Sequence, residues 1–546
     1  MAFWRIRLAL TGFVVSGLVS AQVLACTNIL VSKGASKDGS TMITYAADSH
    51  TRYGRLYFHP AADYPEGTFV DIHDYGSGAY LGKVKQVTHT YSVVGFTNEH
   101  QVSMGETTFG GRPELVDTAG VIDYGSLMFL ALQRSRTARE VIKTIGALVA
   151  EYGYRSSGES FSISDPNEVW IMELIGKGPG TKGAVWVAMR IPDGAISGHA
   201  NHPRIMTFPL KDTMNCYYAP DVISVARAKG YSSGKDSEFS FSDAYAPLDF
   251  SAARACEARI WSVFNRVNGS MGKYLDYAKG TNLHNRMPLW IRPDKKLSVH
   301  DVMELMRDYF GGTDLDMSKD IGAGPYGCPY RWRPMTWKVD SVEYLNERAI
   351  STQQTAFSYV AQARSWLPNH IGGVLWFGVD DTYHTVYTPM YCSITATPPA
   401  YSEGNGSMME WSDDAAFWIF NQVSNFSYTR FNAISPEVRA KQAELETKYL
   451  TLIPAIDNTA LELTNSGKEK AVQFLTEFCT SMGQSTFAEW KALYRHLFVK
   501  YMDGNIKTTV PGQLNPSVKQ PGYSEEWKRM VARETGDKLK VLPQKK

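Results

Sequence analysis

Three regimes of hydrophobic patterning divide the chain. Leu8 to Val19 is a dominantly apolar run, preceded by Arg5 and Arg7 and followed by the small and polar residues Ser20 to Ala25. It falls short of the roughly 20 apolar residues of a membrane-spanning helix, and Val23 and Ala25 occupy the positions of an A-x-A-like cleavage site. Residues 1–25 therefore read as a signal peptide cut before Cys26. That implies an exported protein, periplasmic or extracellular, with no stable membrane association after cleavage.

From Cys26 the pattern changes to short β-rich stretches bounded by turn residues. Cys26–Val31 and Thr41–Tyr45 flank the turn signal Lys37-Asp-Gly-Ser40 and predict a hairpin. Further strands are predicted over Val87–Phe96, Val102–Met104, Phe161–Ser164, Val169–Leu174 and Ala184–Arg190. Helices are predicted over Gly125–Gln133 and Thr137–Tyr152, the second opening on the capping-box spacing Thr137-Ala-Arg-Glu140. Strands mixed with helices in this way indicate an α+β fold, not a parallel doubly wound one. Pro209–Tyr330 is richer in loops, and strands resume over Ile350–Ser393. Beyond Trp411 the period is helical, over Asp413–Asn425, Pro436–Leu452, Lys468–Met482 and Thr486–Met502. Four segments follow: leader 1–25, main domain 26–410, helical region 411–503, and a polar, partly disordered tail 504–546.

Composition narrows the chemistry. With 44% hydrophobic and 12% aromatic residues a large core is available. The 56 basic and 55 acidic residues leave no electrostatic footprint for nucleic acid or an anionic membrane. None of the six cysteines forms a C-x-x-C pair, which argues against a zinc ribbon or a thioredoxin-like motif. With Cys26 kept free, no more than two intrachain disulfides can form, and their pairing is not written in the sequence. Gly322-Ala-Gly-Pro-Tyr-Gly327 has G-x-G-x-x-G spacing, but no strand precedes it and no helix follows, so it reads as a turn. His199 and His202 lack a metal-binding context and read as loop histidines, and no G-x-S-x-G elbow is present. No metal or cofactor is called for.

Cys26 stands out by position. Cleavage after Ala25 would place a thiol and a free α-amine on one residue. An α-amine titrates near 7.7–8.0 and a thiol near 8.5, so the amine can take the thiol proton and return one to a leaving amine. Two other readings use the same residue. Val23-Leu24-Ala25-Cys26 approximates a lipobox, and lipidation would cover the sulfur. A papain-like nucleophile would need flanking residues that are absent. Position alone leaves catalysis and lipidation level.

Longer blocks decide between them. Cys26-Thr-Asn-Ile-Leu-Val31, Ala35-Ser-Lys-Asp-Gly-Ser40, Ala47-Asp48-Ser49, Gly95-Phe-Thr-Asn-Glu-His-Gln-Val102, Glu106-Thr107, Trp186-Val-Ala-Met-Arg190, Ala200-Asn201 and Gly373-Val-Leu-Trp376 occur in order. Together they resemble the bacterial dipeptidase A family of N-terminal-nucleophile cysteine peptidases, which is related to the secernins. The resemblance covers roughly residues 26 to 425 and is faint between Pro209 and Asp301. Tyr45-Ala46, ahead of the Asp48 triplet, departs from the charged lead-in of that family.

The resemblance implies an N-terminal-nucleophile four-layer αββα sandwich with an added helical C-terminal region. It implies metal-independent hydrolysis of dipeptides through a thioester on Cys26. Asp48 is then expected to orient the α-amine or bind the substrate's amino group, and Asn201 to donate into an oxyanion hole. Glu106 is expected to receive the dipeptide's ammonium and Arg204 its carboxylate, whereas Asp165 reads as structural. An acylase acting on non-peptide amides and a non-catalytic lipoprotein binding peptides or glycans remain the alternatives. Self-association is left open.

Overall fold

The β-rich stretches assemble into two large antiparallel sheets, with four two-stranded ribbons beside them among the described residues. A computed structural model describes residues 26–543. The leader, and the cleavage read in it, lie outside the described residues. Seven elements carry the argument: β1 (Asn28–Val31), β2 (Thr41–Asp48), β3 (Ser103–Phe109), β4 (Gly158–Ser164), β5 (Ile196–His199), α1 (Ala258–Val267) and β6 (Thr355–Ala363). The first sheet runs Trp290–Ile291, β5, β1, β2, β6, Gly373–Val379, Thr388–Tyr391. The second runs Cys216–Tyr218, Ala184–Arg190, Val169–Gly176, β4, β3 and then three two-residue strands ending at Phe58–His59.

The sheets face each other, with β1 and β2 packed on β3, β4 and Val169–Gly176. Every residue of β1, β2 and β6 is buried, as expected for strands covered on both faces. Helices Tyr124–Leu132 and Ala138–Tyr152 pack on the second sheet, and Val299–Met306 with the C-terminal helices on the first. Ala138–Tyr152 shows why: Ala138, Val141, Ile142, Ile145, Leu148 and Val149 are buried at helical spacing on one face. Its Thr137 cap accepts from Glu140 N at 3.2 Å, as the sequence indicated, but Glu140 reaches back to the Arg136 N–H instead of completing the box.

The clearest departures have local causes. Val87–Phe96 is not one strand: His89–Thr90 pairs with Ala62–Asp63 and Val93–Val94 with Phe58–His59, and Gly95 then turns the chain with φ 58°, where a Cβ would lie 2.6 Å from Leu375. The tail expected after Gly504 carries a hairpin, Ile506–Thr508 with Ser517–Lys519, and a solvent-facing helix, Glu525–Thr535. The helices expected over Lys468–Met482 and Thr486–Met502 are one, Lys468–Tyr501. Gly483 does not break that helix; it lets Pro398 approach, and a Cβ there would sit 2.5 Å from Pro398 Cβ. A second long helix, Phe431–Thr464, accommodates Pro436 and Pro454.

Buried polar groups pin this helical pair to the first sheet. Asp457 takes Arg364 at 2.5 Å and the Tyr391 hydroxyl at 2.7 Å, and Glu446 takes Arg307 at 2.5 Å. Losing one member of such a pair leaves an uncompensated buried charge, at a cost of about 3–5 kcal/mol.

Gly483→Ala provides a sign test. In an exposed helix that change stabilises by about 1 kcal/mol. Here the clash with Pro398 is expected to destabilise by about 1–3 kcal/mol, read as a lower midpoint in thermal or urea unfolding.

Candidate active site

Strand register brings the Cys26 neighbourhood together. β1 pairs with β5 so that Asn28 faces His199, which sets Cys26 across from Asn201, two residues beyond the last pair of the ladder. On the other edge Thr27 bridges Ala46, which sets Cys26 beside Ala47 and Asp48. Cys26, Asp48 and Asn201, far apart in sequence, thus meet at one end of three adjacent strands. Asn201 has φ 60°, a left-handed conformation that asparagine tolerates.

A single arginine clasps these strand ends. Arg259, on α1, is buried. Its Nη1 donates to the Cys26 carbonyl at 2.6 Å and to Thr27 Oγ1 at 2.8 Å. Its Nη2 donates to the Ala200 carbonyl at 3.1 Å and to Asn201 Oδ1 at 2.9 Å, and Nε donates to Ala255 O at 2.9 Å. The rigid guanidinium fork suits this task, since each nitrogen meets acceptors in fixed directions. Burial, with Arg348 nearby, lowers its pKa to about 10, so it stays charged at neutral pH. The Asn201 side chain is held from both ends, because Nδ2 also donates to Thr108 O at 2.6 Å.

The opposite wall is acidic. Cys26 Sγ lies 3.8 Å from Glu106 Oε1, which also accepts from the Tyr45 hydroxyl. Tyr45 is itself fixed by edge-to-face contacts with Phe96, Phe357 and Tyr359 at 5.6–5.8 Å. Asp48 pairs with Arg348 at 2.5 Å and accepts from Thr355 Oγ1 at 2.6 Å. Burial nevertheless raises the Asp48 carboxyl, outweighing the pull of Arg348. Burial first, and then the carboxylates of Glu106 and Asp48, push the Cys26 thiol well above its ordinary range. With the chain continuous through Ala25, the thiol is therefore neutral and poorly nucleophilic. Cys26, Tyr45, Asp48, Glu106, Arg52 and Tyr124 line a cavity of about 10 Å³, close to the space of one water. Clefts of up to 630 Å³ lie elsewhere, among surface residues with no nucleophile paired to a base. Chemistry, not volume, marks the site.

Arg204 takes a different place from the substrate-facing one expected of it. It is buried, with Nε on Glu257 at 3.1 Å and its other nitrogens on the carbonyls of Gly198, Leu289 and Pro288. Its backbone N–H and that of Ile205 donate to Glu173. It thus anchors the turn that presents Asn201, and the cation at the cavity is Arg52, bonded to Tyr124 Oη at 3.0 Å. His199 lies in a strand, not a loop. It is held neutral between Thr107 and Ser162 at 2.7 and 2.8 Å, burial lowering its pKa to about 3. Asp165 accepts the N–H groups of Ala138, Asn167 and Glu168, a structural task. Asp381, His384 and Ser435 form a hydrogen-bonded series like that of a serine hydrolase, but all three are buried, with Tyr330 and Tyr428 bonded to Asp381. They join the Phe431–Thr464 helix to the sheet.

Sequence reasoning did not find Arg259, Arg348, Arg52 or Glu159, the last of which carries a buried carboxyl beside Glu106. Arg259 falls where the resemblance is faint, and it shares the polar stripe of an amphipathic helix with Ser262 and Arg266, so the pattern reads it as solvent-facing although it is buried. Tyr45 carried a signal, the departure from the charged lead-in before Asp48.

The model of peptidase family C69 matches residues 25–444. The "Probable dipeptidase" of Salmonella dublin is 23% identical over 413 residues, covering 72% of this chain and 86% of its own. The "Probable dipeptidase" of Latilactobacillus sakei is 23% identical over 493 residues, with 85% and 94% covered. "Dipeptidase A" of Lactobacillus helveticus is 24% identical over 438 residues, with 74% and 82% covered.

Replacing the clasp tests its weight. Arg259→Met removes the guanidinium that joins the carbonyls of Cys26, Ala200 and Ala255 to Asn201 Oδ1, and is expected to destabilise by about 3–5 kcal/mol. Arg259→Lys, with three donors, should recover only part of that in urea unfolding. A loss below about 1 kcal/mol for Arg259→Met would contradict the clasp.

Proposed function

From the chain's membership of peptidase family C69, we propose that it is an exported cysteine dipeptidase whose site is made by cleavage after Ala25. The observation that carries this reading is the meeting of Cys26, Asn201 and Asp48 at one end of β1, β2 and β5. The facing antiparallel sheets with helices on both support the N-terminal-nucleophile αββα reading of the fold. The names of the relatives support dipeptides as substrates.

The steps follow from the groups present. Once residues 1–25 are gone, the Cys26 α-amine sits within the same residue as the thiol and replaces an uncharged amide with a titratable base. It takes the thiol proton, and Sγ attacks the scissile carbonyl. The oxyanion forms beside Asn201, whose amide is already oriented by Arg259 and Thr108; such a donor supplies about 3–4 kcal/mol. The α-ammonium returns the proton to the leaving amine, which departs as the C-terminal amino acid. Water, deprotonated by the same amine, then cleaves the thioester. Asp48, held by Arg348 and Thr355, keeps the amine oriented. Glu106 faces the substrate's ammonium, and Arg52, not Arg204, faces its carboxylate.

Three measurements test this. The exported protein should begin at Cys26 with an unmodified α-amine in intact-mass analysis. Added lipid mass on Cys26 would instead support the lipoprotein reading. The processed protein should hydrolyse L-Ala-L-Ala, and Cys26→Ala should reduce turnover at least 10³-fold while keeping the unfolding midpoint. Iodoacetamide should alkylate Cys26 slowly before cleavage, when its thiol is held neutral, and faster after it.

A further inference from the structure

Glu106 has a partner that the steps above do not use. Glu106 on β3 and Glu159 on β4 are diagonal neighbours on the same face of the second sheet, since Glu106 pairs with Phe161 and Thr108 with Glu159. Both are buried. Glu106 Oε1 accepts from the Tyr45 hydroxyl, and Glu159 Oε1 accepts from Thr108 Oγ1 at 2.7 Å. Oε2 of each is buried with no donor from outside the pair, and the two carboxyls hydrogen-bond to each other. Neither carboxylate has a salt bridge to lysine or arginine among the described residues. Glu106 lines the nucleophile's cavity, and Glu159 stands behind it, one diagonal step along the sheet.

Distance decides what fits. In an α-amino acyl group the ammonium nitrogen is two bonds, about 2.5 Å, from the carbonyl carbon. A carbonyl poised for attack lies roughly 3–3.5 Å from sulfur, so the ammonium lies within several ångströms of Sγ. Glu106 Oε1, 3.8 Å from Sγ, is in that shell. An ammonium presents three donors and no acceptor, the complement of a site built from carboxylate oxygens.

Resting on the dipeptidase reading, we propose that Glu106 and Glu159 together form the receptor for the α-ammonium of the substrate, with Glu159 as a second, specificity-determining carboxyl. Empty, the pair holds one proton between them, because two buried carboxylates in contact do not both ionise. Burial and mutual repulsion raise Glu159, and burial raises Glu106, in agreement. The arriving ammonium replaces that proton, which leaves to solvent. Substrate with a free amino terminus is thereby preferred over the N-acylated analogue, and its binding tightens as pH rises and the pair gives up its proton more readily.

The experiment compares L-Ala-L-Ala with N-acetyl-L-Ala-L-Ala on the processed protein and on Glu159→Gln, with Glu106→Gln as a second variant. Glu→Gln preserves shape and mimics the protonated partner, so folding is expected to persist, checked by the unfolding midpoint. Wild type should favour the free dipeptide at least about 10-fold in kcat/KM. Glu159→Gln should raise KM for the free dipeptide about 10-fold with kcat within about 3-fold, and flatten the fall of KM with pH. A raised KM with kcat nearly kept separates a substrate receptor from a partner of the protein's own α-amine, whose loss would lower kcat. Equal wild-type kcat/KM for the two substrates, or equal losses on both in Glu159→Gln, would overturn the receptor while leaving the hydrolase standing. Failure of wild type to cleave either peptide would overturn the dipeptidase reading and the receptor with it.

Discussion

Everything at the proposed site depends on one buried cation. Arg259 holds the carbonyl of Cys26, the carbonyl of Ala200 and the side chain of Asn201 in a single plane of hydrogen bonds. Strand ends beyond a ladder are otherwise free to fray, and an oxyanion donor that wanders by an ångström loses most of its value. Desolvating a guanidinium is costly, and the fold accepts that cost only because each nitrogen finds an acceptor. The clasp reaches past the strands. Arg204 and Glu173 secure the turn beyond Asn201, and Arg348 secures Asp48 on the other side. Three buried arginines thus fix the geometry around one thiol.

The same burial sets the electrostatics against the uncut chain. Glu106, Glu159 and Asp48 all lie near Cys26, and each opposes a thiolate. A cysteine in such surroundings is inert until a further cation is supplied beside the sulfur. In the proposed mechanism the cut supplies it, as the α-ammonium formed when the amine takes the thiol proton. Acidic residues that would depress an ordinary cysteine nucleophile then become useful, since they favour cations at the cavity, the protein's own and the substrate's.

Much of this was legible in the sequence where local pattern and local physics agree. The strand over Ala184–Arg190 and the helix capped by Thr137 follow from β-propensity and from an amphipathic period. The position of Cys26 and the Asp48 and Asn201 motifs pointed to strands that the register does bring together. What was not legible depends on tertiary contact. Arg259 and Glu159 are buried charges whose value comes from partners distant in the chain, and no spacing announces them. The two helices read over Lys468–Met482 and Thr486–Met502 are one, because the glycine between them, Gly483, serves a contact with Pro398 that appears only in the folded chain. Arg204 reads as a substrate fork because its carbonyl partners, Gly198, Leu289 and Pro288, appear only in the folded chain.

The central claim is that the α-amine of Cys26, not the thiol alone, makes the enzyme. The most direct measurement compares purified protein beginning at Cys26 with protein beginning one residue earlier, at Ala25, in hydrolysis of L-Ala-L-Ala. Moving the amine one residue away removes the general base and leaves the rest of the fold intact. The account predicts a loss of about 10²–10⁴ in kcat/KM at an unchanged unfolding midpoint. Equal rates from the two proteins would contradict it.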